Sequence, residues 1–191
     1  MELKKRKARG ENVAYNLTLF STAALIETPE AILQLHRDYI RAGADVITTA
    51  SYAVTRFYLD KVDQGHRVEE LASLSVSLAQ EAVAMENKTG RVAIAMSVPP
   101  LGESYQTAGL QSVDVQEQYR ELLRGLKGGD IFLLETMASI EETRMVSEWV
   151  TSITDRPEYD LSTSPVHACG LCCNCRQPGC ARKRLPRLPS G

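Results

Sequence analysis

The sequence predicts an α/β protein built on a parallel sheet, and three short apolar runs are the first observation behind this fold class. They lie at Asp45–Thr49, Val92–Ser97 and Ile131–Glu135 and are rich in aliphatic residues. The second observation is that segments with helical spacing of apolar residues separate them. Strands that are apolar throughout are typical of parallel sheets covered by helical crossovers. Both an open doubly wound sheet and a closed barrel fit this pattern.

The first clear helix signal lies just before the first strand. Thr28-Pro29-Glu30 offers a hydroxyl N-cap, a proline at the first helical position and an acid in the first turn. Ile32, Leu35 and Tyr39 follow at helical spacing and predict one buried face. Gly43 then predicts the C-terminal end of the helix.

Three more helices are predicted by their caps and apolar faces. The second presents one apolar face and stops around residues 87 to 90; its face residues are Leu71, Leu74, Leu78, Ala82 and Met85. The third has Asp114 and Glu117 as a capping box and buries Val115, Tyr119, Leu122 and Leu126. Ser139 and Glu142 cap the fourth, which runs to about Val150. The chain is therefore expected to contain three to four strand–helix units.

Composition and charge exclude several classes of partner. The 191 residues are 43% hydrophobic and 24% charged, with a formal net charge of -2. We expect neither nucleic acid nor a membrane as partner, because there is no basic excess and no run of about 18 apolar residues. No glycine-rich phosphate-binding motif follows any strand. These features predict a cytoplasmic protein.

The last part of the chain differs sharply in composition. All five cysteines fall between Cys169 and Cys180, and five of the eight prolines lie in the last 35 residues. We therefore predict an ordered domain over residues 1–153 and an irregular Cys/Pro/Arg-rich tail over 154–191. The Cys169-x-x-Cys172 spacing, with His167 nearby, fits a small metal-binding knuckle. The replacement of aliphatic residues by Pro, Arg and Cys favours the other explanation, a segment produced by a frameshift, an alternative exon or a faulty gene model.

Polar side chains follow each predicted strand, where ligands of parallel α/β proteins bind. The candidate binding residues are Thr49, Ser51, Tyr52, Ser97 and Glu135. This set suits a small polar ligand with an ammonium group, which Glu135 would pair through charge-assisted hydrogen bonds. Alternatively, Thr48 and Ser51 satisfy loop backbone groups and Glu135 is a solvated loop acid.

Four segments, in order, resemble the homocysteine S-methyltransferase family. The longest is residues 36–52, HRDYIRAGADVITTASY. The others are Ala23–Glu30, the Ser97–Gly102 turn and Leu133–Met137. The similarity covers about residues 2 to 150 and is greatest to the branch that uses S-methylmethionine or S-adenosylmethionine.

The resemblance implies a fold, a reaction and roles for residues. It implies a (β/α)₈ TIM-type barrel and methyl transfer from a sulfonium donor to homocysteine, giving methionine. It also implies a zinc ion held by three cysteines, which binds the substrate sulfur as thiolate. Glu135 matches the family's glutamate that contacts the homocysteine amino group. Ser51 and Tyr52 match a loop that lines the pocket.

Departures from the family pattern predict a partial barrel. Only Glu2-Leu3 remains of the opening motif, so the first strand and its aspartate are missing. The later strands and the zinc cysteines are absent too; Cys172-Cys173 lacks the glycines that flank the family's cysteine pair. We therefore expect a truncated, inactive chain in which zinc binding is doubtful. The alternative is a non-catalytic fragment that binds a metal or a partner weakly through its tail.

Overall fold

The computed structural model describes residues 2–102, 113–137 and 139–153. The helices are α1 Glu2–Ala8, α2 Thr22–Glu27, α3 Pro29–Arg41, α4 Arg56–Leu59, α5 Val68–Met85, α6 Val113–Gly125 and α7 Ile140–Ile153. The strands are β1 Val46–Thr48, β2 Ala93–Val98 and β3 Ile131–Leu134. Short 3₁₀ turns at Asp60–Val62 and Gly65–Arg67 join α4 to α5.

The three strands form one parallel sheet in the order β1-β2-β3. Ile47 pairs with Ile94, and Ser97 pairs with Leu133. A helix or a helical segment separates each strand from the next, as parallel pairing requires. The predicted parallel strand–helix units are confirmed, and each observed strand overlaps its predicted apolar run.

Helices cover one face of the sheet. Ile47 and Ile94 lie in an apolar cluster with residues of α3 and α5, whereas Met96 and Val98 join the larger core with residues of α5, α6 and α7. Because side chains alternate along a strand, Thr48, Ser97 and Glu135 belong to the opposite face. The site residues predicted for β2 and β3 therefore point away from the helical layer.

Helix α3 agrees with the prediction at its C-terminal end. Gly43 has a φ of +95° and donates from its N–H to Ile40 O at 3.0 Å, which ends the helix as predicted. Pro29 is the first helical residue. One detail at its N-terminal end was wrong. Thr28 makes no side-chain cap, because its Oγ1 accepts from Ala14 N at 3.0 Å instead.

The buried face of α3 also differs from the prediction. Ile32, His36 and Ile40 are its buried residues, whereas Tyr39 is 49% exposed. The apolar stripe is rotated toward α5 and β1, which supply the packing surface. The prediction that Tyr39 belongs to the buried face was therefore wrong.

Helices α5 and α6 pack closely against each other. A Cβ on Gly125 would lie 2.4 Å from the carbonyl oxygen of Glu69 and 2.6 Å from Ala72 Cβ. Most predicted face residues of both helices are buried, but Met85 in the last turn of α5 is 47% exposed. Asp114 lies inside α6 and so is not its N-cap residue. Glycine at position 125 permits the close approach of the two helices.

Helix α7 begins with the predicted cap. The Ser139 Oγ accepts from Glu142 N at 3.3 Å. The helix extends to Ile153, slightly beyond the predicted end. The tail over 154–191 lies outside the described residues, so the domain division at 153/154 stays a prediction. Within the described ranges, no helix combines the length and apolar character needed to cross a bilayer.

Candidate functional site

Four of the five predicted site residues lie together at the carboxyl ends of the strands. The Ser97 hydroxyl donates to Glu135 Oε1 at 2.5 Å, which joins the ends of β2 and β3. Thr49 and Ser51 follow β1, and their hydroxyl oxygens are 2.8 Å apart. Thr49, Ser51 and Ser97 are buried, and Glu135 is partly exposed. Glu135 is therefore the most exposed residue of this cluster.

The hydroxyls of Thr49 and Ser51 form a closed chain of hydrogen bonds with the backbone of Ser97. Ser97 N donates to Thr49 Oγ1 at 3.0 Å, and Ser51 Oγ donates to Ser97 O at 2.8 Å. Because Ser51 has one hydroxyl proton and uses it on that carbonyl, Thr49 donates to Ser51. Both hydroxyls therefore bond to the backbone of Ser97 in β2, and they fix Ser97 in place.

The backbone turns sharply directly after Glu135. Glu135 N donates to Val98 O at 3.2 Å, which extends the β2–β3 ladder by one bond. Thr136 has a φ of +61°, a left-handed conformation that is uncommon for a β-branched residue. Such conformations persist where the surrounding structure holds them, and they cluster at functional sites. Glu135 therefore lies between the end of β3 and this turn.

Tyr52 directly follows Ser51 and lines a groove. It lines an open, mostly apolar groove of about 440 Å³ whose lining residues do not include Ser97 or Glu135. The other lining residues come from the N-terminal segment, α1 and α3: Glu2, Leu3, Tyr15, Phe20, Ser21, Leu35 and Tyr39.

Tyr119 and Glu142 form a buried pair that the sequence analysis did not assign to the site. The Tyr119 hydroxyl of α6 lies 2.6 Å from Glu142 Oε1 of α7, and both residues are buried. Burial, and then the neighbouring carboxylate, raise the pKa of Tyr119 far above its usual value, so the phenol stays protonated. The sequence identified Tyr119 only as an apolar-face residue and Glu142 only as a capping acid.

The described residues do not supply a metal site. Among residues 2–102, 113–137 and 139–153, no group of three or more His, Cys, Asp or Glu side chains could hold an ion. His36 is buried in the core and His66 is exposed. All five cysteines lie at positions 169–180, outside the described ranges. The residues described here therefore do not fit the three-cysteine zinc set that the family resemblance implies.

Comparisons with known proteins agree with the geometry. The homocysteine S-methyltransferase family model matches residues 1–180. The chain is 34% identical over 162 residues to the homocysteine S-methyltransferase of Escherichia coli strain K12, covering 76% of this chain and 51% of that protein. It is 32% identical over 149 residues to homocysteine S-methyltransferase YbgG of Bacillus subtilis strain 168, covering 69% and 47%.

Solved structures identify the fold to which the sheet belongs. The crystal structure of the homocysteine methyltransferase MmuM from E. coli in its metallated form has a TM-score of 0.63 and 29% identity, covering 81% of this chain and 58% of that chain. The oxidized form gives a TM-score of 0.62. The predicted partial TIM-type barrel is confirmed, and the chain spans about half the length of the curated relatives it matches. The chain belongs to the homocysteine S-methyltransferase family.

Proposed function

We propose that this chain carries the homocysteine-binding side of a homocysteine S-methyltransferase. The single observation that supports this most strongly is the Glu135 carboxylate, held at the sheet edge by Ser97. A carboxylate that is partly exposed and fixed by a hydroxyl donor is suited to pair with the ammonium group of an amino acid. Thr49 and Ser51 hold Ser97 from the β1 side.

The proposed reaction requires a correctly oriented amino acid. In the reaction, the bond from the methyl carbon to the sulfonium sulfur of S-methylmethionine or S-adenosylmethionine breaks. A bond from the same carbon to the homocysteine sulfur forms, the thiol proton leaves, and the donor departs as a neutral thioether. Pairing of the ammonium group with Glu135 would fix which end of homocysteine faces the donor. The product is methionine.

By the family resemblance, three cysteines would hold a zinc ion, which would keep the substrate sulfur as thiolate at neutral pH. Since the described residues do not fit that ion, no step of the proposal passes through it. We propose that the 191-residue chain by itself binds homocysteine but does not transfer the methyl group. The three strands of the described residues would provide one wall of the site, and the match to the E. coli relative covers 51% of that protein.

The test is an NMR titration of the ¹⁵N-labelled chain with homocysteine and with N-acetylhomocysteine, which lacks the ammonium group. We expect homocysteine to shift the amide signals of Ser97, Glu135 and Thr136, and N-acetylhomocysteine to leave them unchanged. Equal shifts with both compounds, or none with homocysteine, would contradict the binding proposal.

A separate assay tests the proposed lack of turnover. The purified chain is incubated with zinc, homocysteine and S-methylmethionine or S-adenosylmethionine, and we expect no methionine. Zinc-dependent methionine formation would overturn this part of the proposal.

A cytoplasmic location likewise stays part of the proposal, and fractionation of cells that express the chain would test it.

A further inference from the structure

Glu142 is a buried carboxylate that the proposed function does not yet use. It is 4% exposed, and within the described part of the chain no cation lies at ion-pair distance from it. A buried carboxylate without a cation costs stability unless hydrogen-bond donors satisfy it. Its donors therefore indicate what it holds in place.

The donors of Glu142 come from another helix and from the loop after β2. Tyr119 OH lies 2.6 Å from Glu142 Oε1, and Leu101 N donates to the same oxygen over a longer distance, 3.4 Å. The Tyr119 hydroxyl also lies 3.2 Å from Pro99 O. Its single proton goes to the closer carboxylate, since phenols have one proton to donate. Glu142 and Tyr119 thus contact the loop at both Pro99 and Leu101.

This loop begins directly after the strand that carries Ser97. Ser97 donates to Glu135, and Glu135 N donates to Val98 O. Helix α7, which carries Glu142, begins five residues after Glu135. The β2 region is therefore connected to the segment after β3 at two points. Ser97 near the end of β2 bonds to Glu135, and the loop after β2 bonds to Glu142 on α7.

We propose that Glu142, with Tyr119, is a positioning residue that holds the loop after β2 and thereby keeps the Ser97 hydroxyl on the Glu135 carboxylate. It acts through Ser97 and the loop backbone and does not touch the ligand. The consequence for ligand binding rests on the proposed function, whereas the structural consequence does not.

The experiment compares four variants of the full chain. Glu142→Leu removes the acceptor, Glu142→Gln keeps one acceptor oxygen, and Tyr119→Phe removes only the hydroxyl. Glu141→Leu is the matched control, because Glu141 precedes Glu142 on α7 and is exposed. Urea unfolding, amide hydrogen exchange by NMR and homocysteine titration are measured on each variant.

The exchange measurement tests the positioning without a ligand. In Glu142→Leu we expect about tenfold faster exchange at Leu101 and Glu135, beyond any change in β1, because a hydrogen bond to a charged group is lost. Tyr119→Phe should act in the same direction, and Glu142→Gln should restore slow exchange. Uniform acceleration that follows global stability, or unchanged exchange in both Glu142→Leu and Tyr119→Phe, would overturn the positioning role. If Glu142→Leu does not fold, the comparison of exchange rates between Tyr119→Phe and Glu142→Gln decides whether the positioning role holds.

The affinity measurement tests the link to the ligand. Glu142→Leu and Tyr119→Phe should weaken homocysteine binding by about tenfold, and Glu142→Gln by less than about threefold. Unchanged affinity alongside faster local exchange would overturn the link to binding. If the unsubstituted chain does not bind homocysteine, the proposed function fails, and the exchange measurement still decides the positioning role.

Discussion

The Ser97 hydroxyl donates to the Glu135 carboxylate at 2.5 Å, across the two strands that end side by side at the edge of the sheet. Ser97 pairs in register with Leu133, two residues before Glu135, so alternation places Ser97 and Glu135 on the same face. The hydrogen bond therefore follows from strand register. The register brings one hydroxyl and one carboxylate together although they are 38 residues apart in sequence.

Glu135→Gln should weaken homocysteine binding by roughly 30-fold or more, because removal of one partner of a desolvated charge pair costs about 2 to 5 kcal/mol. The side-chain amide keeps the shape of the carboxylate but carries no charge to pair with the ammonium group. Calorimetric or NMR titration of the two proteins measures the change. Glu141→Gln, an exposed acid on α7, is the control and should bind as the unsubstituted chain does. Equal affinity of Glu135→Gln and the unsubstituted chain would refute the assignment.

Ser97→Ala and Glu135→Gln should not be additive. Ser97→Ala removes the donor that orients the carboxylate, and a hydrogen bond to a charged group contributes about 1.5 to 3 kcal/mol. Once Glu135 is replaced, the same serine substitution should cost much less. A double-mutant cycle on homocysteine affinity measures the coupling, which we expect to exceed about 1 kcal/mol. Strict additivity of the two losses would show that the bond has no part in binding.

Acid should destabilise the fold through His36. This side chain is buried on α3, and among the described residues its Nε2 has no hydrogen-bond partner. Burial lowers the pKa of His36 from 6.5 to about 4, so the folded protein keeps the imidazole neutral. The unfolded chain takes up a proton as pH falls through 6.5, which favours unfolding. The loss of folding stability increases as the pH falls to about 4, and below that it stays constant at roughly 3 kcal/mol.

Urea unfolding of the unsubstituted chain and of His36→Leu between pH 7 and pH 4 isolates this contribution. Over that range, the free energy of unfolding should fall by about 3 kcal/mol less for His36→Leu than for the unsubstituted chain. His66→Leu is the control, because His66 is exposed, and it should follow the unsubstituted chain. Parallel pH curves for His36→Leu and the unsubstituted chain would contradict the prediction.

Gly125→Ala should destabilise the protein although alanine favours helices. The new Cβ would lie 2.4 Å from Glu69 O and 2.6 Å from Ala72 Cβ, so α5 and α6 would have to move apart. Overpacking of this kind costs about 1 to 3 kcal/mol. Gly102→Ala is the control, since a Cβ there meets nothing within 4 Å. The midpoint of urea unfolding should fall for Gly125→Ala alone, and a higher midpoint would show that the helices separate freely.

Several features of the fold and the site could be predicted from local sequence. Apolar runs and helical periodicity predicted the three parallel strands and their order along the chain. Gly43 and Ser139 were recognised as helix-end residues because caps depend on neighbours within one turn. Glu135 was placed at a strand end because it directly follows four apolar residues. Each of these predictions depends on interactions between residues close in sequence.

Tertiary contacts decided what local pattern could not. Thr28 has the sequence of an N-cap, yet its hydroxyl oxygen accepts a hydrogen bond from Ala14 N. Tyr39 has the spacing of a buried helix face, yet it is exposed. Tyr52 follows β1 as Ser51 does, and it lines a groove with residues of α1 and α3 that are distant in sequence. Periodicity defines a face of a helix or a strand, whereas the neighbour that covers the face comes from distant segments.

By itself, the sequence determined the α/β class, the parallel sheet and the strand end at which Glu135 lies, because burial and capping depend on residue type and short spacing. Only the tertiary structure decided which partners each polar group has. Ser51 bonds to Ser97 O, Ser97 bonds to Glu135, and Tyr119 bonds to Glu142. These partners are 23 to 46 residues apart. Strand register and helix packing bring them together, because directional hydrogen bonds form only where the fold places donor and acceptor within about 3 Å.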